Sequence, residues 1–139
     1  MNDVARTRIL ESALGALDTE FPDAWALYVF GSFARGDQRP DSDLDLAVLL
    51  PPQVDFRDKL ALIARLSRQV GREVDLVNLR RASLDLVHEL LREGKPLRIR
   101  RDSDVLGWEA EQMTEYADFN PRRAGILARY LDEPLNTPS

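Results

Sequence analysis

The sequence predicts an α/β fold in which helices pack on one small sheet. Three observations carry that reading. Short, nearly continuous apolar runs occupy residues 24–30 and 44–50, and residues 73–79 alternate apolar with polar, the length and patterning of strands. The stretches around them carry apolar residues at helical spacing instead. The chain has 139 residues, 44% hydrophobic and 31% charged, a size and balance suited to one domain with its own core.

Taken in order, Val4, Leu10, Ala13, Leu14 and Leu17 share a helical face, so a helix is expected over about 4–19. Phe21-Pro22-Asp23 ends it, and the run AWALYVF from Ala24 to Phe30 reads as the first strand, stopping at Gly31. The segment SFARGDQRPDSD has loop chemistry with one helical turn at its start. Leu44 to Leu50 forms the second strand, closed by Pro51-Pro52. A helix is expected from Val54 to Val70, with Leu60, Ile63, Ala64 and Val70 on its buried side and Gly71 at its end. Glu73 to Leu79 alternates as a third strand. Ser83 caps a helix through Leu91 that ends at Gly94, and Pro96 to Ile99 makes an edge strand. Asp102 or Ser103 opens a last helical region, interrupted at Pro121. No linker divides the chain. Residues 1–139 are read as a single domain, with 102–139 as a C-terminal helical extension.

Composition removes whole classes of function. Without cysteine there is no disulfide, thiolate zinc site or cysteine nucleophile, and the single His88 rules out a multi-histidine metal centre. No apolar run approaches the length of a membrane span, and no secretory signal pattern is visible, so a cytoplasmic protein is expected. Nineteen Lys and Arg face 24 Asp and Glu, a net charge of −5, which argues against direct nucleic-acid binding.

Two features sit oddly in a core-building sequence. Gly31-Ser32 follows a buried strand directly, and Asp43-Leu44-Asp45 opens the next. Alternation places Asp43 and Asp45 side by side on one face, with Leu44 and Leu46 on the other. Two carboxylates there repel one another and resist burial, a cost that a divalent cation removes. Magnesium suits such hard oxygen ligands and commonly combines one or two carboxylates with substrate phosphates. Asp75 is a third candidate ligand if the second and third strands are neighbours. Gly31 permits close approach of a phosphate, while Ser32 offers a hydroxyl at the start of a helical turn. Each feature alone has an ordinary explanation, as a turn or as solvated charge at a strand end. Together and in this order they describe nucleotidyl transfer.

The run GSFARGDQRPDSDLDLAVLL resembles the signature of the polymerase-β-like nucleotidyltransferase superfamily, with ten residues between Gly31-Ser32 and Asp43. It looks most like the minimal branch, the MNT-type antitoxins of HEPN/MNT toxin–antitoxin pairs. The resemblance spans about Ala24 to Leu79 and implies a small mixed sheet flanked by helices. It implies that Gly31 and Ser32 hold the triphosphate of ATP and that Asp43, Asp45 and Asp75 bind Mg²⁺. Asp75 would also activate the attacking hydroxyl. The partner it implies is a HEPN ribonuclease toxin, silenced by AMP transferred to a tyrosine. Two rival readings are a small-molecule nucleotidyltransferase of the aminoglycoside type and an antitoxin that acts by binding alone.

The remaining conspicuous residues have plainer readings. Arg35 and Arg39 are expected as solvated loop cations, His88 as a partly exposed histidine, and Trp25 in the strand core. Asp104, Glu109, Glu111 and Glu115 are expected to form a solvated helix face. Trp108, Tyr116, Phe119 and Tyr130 recur on the last helices; core packing is the plain reading, and a toxin-docking face is the functional one.

Overall fold

The computed structural model describes residues 1–119. Helix α1 (Asp3–Glu20) leads into strand β1 (Ala26–Phe30), the single-turn helix α2 (Ser32–Arg35) and strand β2 (Leu44–Leu49). Helix α3 (Lys59–Val70), strand β3 (Val74–Asn78), helix α4 (Leu84–Glu93), strand β4 (Lys95–Ile99) and helix α5 (Asp102–Phe119) follow. The strands assemble in the order β3-β2-β1-β4. β1 runs antiparallel to both β2 and β4, whereas β2 and β3 run parallel, joined by α3 as a crossover. The sheet is mixed, as expected. β4 lies at an edge, where Pro96 costs no central ladder bond.

Strand alternation divides the core between the two faces of the sheet. Leu27, Val29, Leu44, Leu46, Val48 and Leu76 pack with Ala13 and Leu17 of α1, Phe33 of α2, and Leu62 and Leu66 of α3. On the opposite face Ala26, Tyr28, Ala47 and Leu49 pack with Val87 and Leu90 of α4 and with Val105 and Trp108 of α5. Local chemistry sets the helix ends. Asn2, Asp58 and Ser83 each accept a backbone N–H through the side chain at an N-terminus, and Gly71 ends α3 in the left-handed conformation.

Several expectations need correction. α3 starts at Lys59 rather than Val54, because Asp58 caps it and residues 51–58 form a loop. Its fully buried residues are Leu62 and Leu66, with Ile63 and Val70 packed partly buried beside them as expected; Leu60 is 81% exposed, and Ala64 is exposed as well. Val4 of α1 is exposed as well. Trp25 precedes β1 and is half-buried, with the guanidinium groups of Arg80 and Arg101 over its ring. His88 is buried and stacks on Tyr116 with ring centroids 4.0 Å apart. Glu109 does not belong to a solvated face: it is half-buried and accepts a hydrogen bond from the Tyr28 hydroxyl at 3.3 Å. Burial holds its carboxyl above the usual range.

Trp108 and Tyr116 are buried inside the chain, so these two aromatics serve the core rather than a docking face. The expectations for Pro121 and Tyr130 lie outside the described residues, as does the side chain of Phe119. Among the described residues no helix is long and apolar enough to cross a membrane.

Candidate active site

β1 ends at Phe30, and the chain turns sharply at Gly31 into α2. Gly31 has φ 69° and ψ −151°, a conformation essentially confined to glycine. Its Cα also lies against the carboxylate of Asp45, and a Cβ there would overlap Asp45 Oδ2. The glycine is thus required by the backbone and by Asp45. Gly31 O accepts the N–H groups of Ala34 and Arg35, both at 3.1 Å. The N–H groups of Ser32 and Phe33 come before these first bonds of the turn.

The sheet register positions the acids. Asp45 pairs with Phe30 across the antiparallel ladder and with Asp75 across the parallel one. In-register neighbours present their side chains on the same face, so Asp45 and Asp75 lie side by side. Asp43, just before β2, falls on that face by alternation. Asp45 is half-buried, whereas Asp43 and Asp75 are exposed. Burial, then Asp75, then Asp43 push the Asp45 carboxyl above its ordinary range, and Arg35 opposes them. Asp75 Oδ1 also accepts the N–H of Leu76 at 3.0 Å. Among the described residues no three acids or histidines converge closely enough to cage a metal ion unaided.

A cavity of about 190 Å³ opens over this corner, lined by Phe30, Gly31, Arg35 and Asp45 and closed by α4. Leu86, Glu89, Leu90 and Glu93 form the closing stripe, at i, i+3, i+4 and i+7. Sequence reasoning missed this wall. The signal available was two acids set within the apolar stripe of α4. Arg35 is exposed as expected but reaches the same cavity, pairing with Asp37 at 3.2 Å and Glu93 at 3.8 Å. Arg72 fixes the loop that delivers Asp43, donating to Ser42 O at 2.8 Å with its guanidinium over the Phe33 ring. Ser32, Asp43, Asp45 and Asp75 thus lie at one end of the sheet, on neighbouring elements.

The family model described as polymerase beta, nucleotidyltransferase, matches residues 17–103. The chain belongs to this nucleotidyltransferase family. It is also 31% identical over 111 residues to the protein adenylyltransferase MntA of Shewanella oneidensis, covering 80% of this chain and 79% of that one. A solved toxin–antitoxin complex with AMP-PNP contains a chain that superposes with a TM-score of 0.71 at 29% identity, covering 85% of this chain and 94% of that one. A second match, at TM-score 0.66 and 26% identity, comes from the tri-AMPylated HEPN toxin of Shewanella oneidensis in complex with its MNT antitoxin. It covers 88% of this chain and 95% of the other. The nucleotidyltransferase fold expected from the sequence is the fold observed.

Proposed function

We propose that this nucleotidyltransferase is an antitoxin that transfers AMP from ATP to a tyrosine hydroxyl of a cognate HEPN ribonuclease toxin, silencing it. The observation that carries this reading is the in-register pair Asp45 and Asp75 at the end of the sheet where β1 turns into Gly31-Ser32, with Gly31 and Asp45 lining one cavity. The likeness to MntA and to an MNT antitoxin bound to an AMPylated toxin supplies the acceptor class.

The donor set suits Mg²⁺: hard carboxylate oxygens, too few to enclose the ion without oxygens from a triphosphate. Burial and then the neighbouring acids Asp75 and Asp43 raise the Asp45 carboxyl, a cost that a cation would relieve. When bound, the ion would neutralise the facing carboxylates and polarise the α-phosphate. Asp43, Asp45 and Asp75 would hold it. Ser32 and the backbone at Gly31 would hold the β- and γ-phosphates. Asp75, nearest the β3 edge, would take the proton of the attacking hydroxyl as its oxygen bonds to the α-phosphorus and pyrophosphate leaves.

The test is intact mass of the cognate toxin after incubation with this chain, ATP and Mg²⁺. The expected result is a gain of one or more AMP units, lost with Asp43→Asn or Asp45→Asn. Asp75→Asn should keep nucleotide binding while turnover falls roughly 100-fold or more, as for loss of a general base. Neutralisation of the toxin with no mass gain would instead mean an antitoxin that works by binding.

A further inference from the structure

A second cavity, about 460 Å³, lies beside the candidate active site at the β3 edge. Its floor includes Val77, two residues beyond Asp75 on the same face of β3, roughly 7 Å along the strand. Leu86 of α4 lines both this cavity and the one over Asp45, so the two adjoin across a single side chain. The lining is basic in a chain of net charge −5: Arg57, Lys59 and Arg81 face one acid, Asp55. Asp55 is already engaged, paired with Arg81 at 2.6 Å and accepting from Asn78 at 2.7 Å. Arg57 and Lys59 are exposed.

From this we infer that the Arg57–Lys59–Arg81 cavity seats the acceptor: an acidic segment of the toxin flanking the hydroxyl that receives AMP. The inference rests on the AMP-transfer reading. In an in-line displacement the nucleophile enters opposite the departing pyrophosphate. With the leaving group on the Gly31-Ser32 side, the acceptor approaches from the side of Asp75 and β3, where this cavity lies. A folded acceptor cannot enter a cleft closed by α4, but it can lay a segment across an open edge. Exposed cations there select acidic flanks and speed encounter without touching the reacting atoms.

The experiment measures AMP transfer to the cognate toxin by full-length chain carrying Arg57→Glu and Lys59→Glu. KM for the toxin is expected to rise roughly tenfold, the scale of a few exposed ion contacts, with KM for ATP unchanged. Added salt should raise KM for the toxin with the unaltered chain, and much less with the variant. The charge-conserving pair Arg57→Lys and Lys59→Arg should behave as the unaltered chain. An unchanged KM for the toxin would overturn the inference. So would a parallel rise in KM for ATP, which would assign the cavity to the nucleoside. Absence of any transfer by the unaltered chain would overturn the AMP-transfer reading, and this inference with it.

Discussion

At Asp45 burial and two neighbouring acids, Asp75 and Asp43, all favour the neutral carboxyl, with Arg35 alone opposing. The folded chain therefore holds that proton more tightly than the unfolded chain does. Stability contributed at this site falls as pH climbs from the ordinary carboxylate range through the raised folded value. Asp45→Asn removes the charge and keeps the shape. It should raise the thermal midpoint by a few degrees at pH 7 while abolishing transfer, with the gain shrinking at acid pH where Asp45 is protonated anyway. A melting series over pH checks both halves; a lowered midpoint at pH 7 would contradict the charge argument. Gly31 is tied to the same carboxylate. Gly31→Ala should cost about 1–3 kcal/mol for the backbone conformation alone, and more from the overlap with Asp45. In an Asp45→Ala background the overlap is gone, so the same substitution should cost less, as a urea double-mutant cycle would show. Strand alternation made the paired acids legible in the sequence. The reason for Gly31 was not, because it lies in a contact with a residue on another strand, 14 positions on. Glu109 and His88 were misread for a similar reason: each is placed by a partner far along the chain, Tyr28 for one and Tyr116 for the other.

The elements show where periodicity suffices and where phase must be known. β1, β2, β3 and α4 matched expectation within two residues, because each has a terminator beside it: Gly31, Pro51, Gly71, Ser83 and Gly94. α3 did not. Extending it back to Val54 absorbed a loop, and of the expected stripe Ile63 and Val70 pack against the core while Leu60 is exposed; Leu62 and Leu66 are the leucines that meet the sheet. Leu60 and Leu66 therefore carry opposite predictions. Leu66→Ala should cost about 2–5 kcal/mol, as for a fully buried leucine. Leu60→Ala should fall within about 0.5 kcal/mol of neutral. Chemical denaturation of the two variants checks both. The wall supplied by α4 was hidden at this scale too. Its apolar stripe is visible in the sequence, but only the sheet order places Glu89 and Glu93 over Gly31.

Across the whole molecule the two faces of the sheet have different work. α1 and α3 cover one face with apolar side chains, while α4 and α5 cover the other, α4 walling the cavity over Asp45 and leaving Asp43 and Asp75 exposed. Arginine joins these layers. Arg6 donates twice to Phe33 O, Arg72 reaches Ser42 O, Arg80 reaches Leu50 O, and Arg100 holds the carbonyls of Phe21 and Ala24. A planar fork with five donors can clamp loop carbonyls in this way, and a lysine cannot. The sequence shows the excess, with Lys59 and Lys95 its only lysines, but not the use, since each clamp joins segments distant along the chain. The clamps on Phe33 and Ser42 fix the two ends of the loop between α2 and β2, so Ser32 and Asp43 are held before any nucleotide arrives. A site prepared in this way adds its binding free energy to the native state alone. Mg²⁺–ATP at 100 times its dissociation constant should then stabilise the fold by about 2.7 kcal/mol, a rise of several degrees in thermal midpoint. EDTA should remove the rise, because facing carboxylates without the ion repel the triphosphate, and Asp43→Asn should remove it as well. Differential scanning fluorimetry with ATP, with ATP and EDTA, and with Mg²⁺ alone separates these terms. A full shift surviving EDTA would show that the triphosphate is held without the ion, leaving the three aspartates with no part in nucleotide binding.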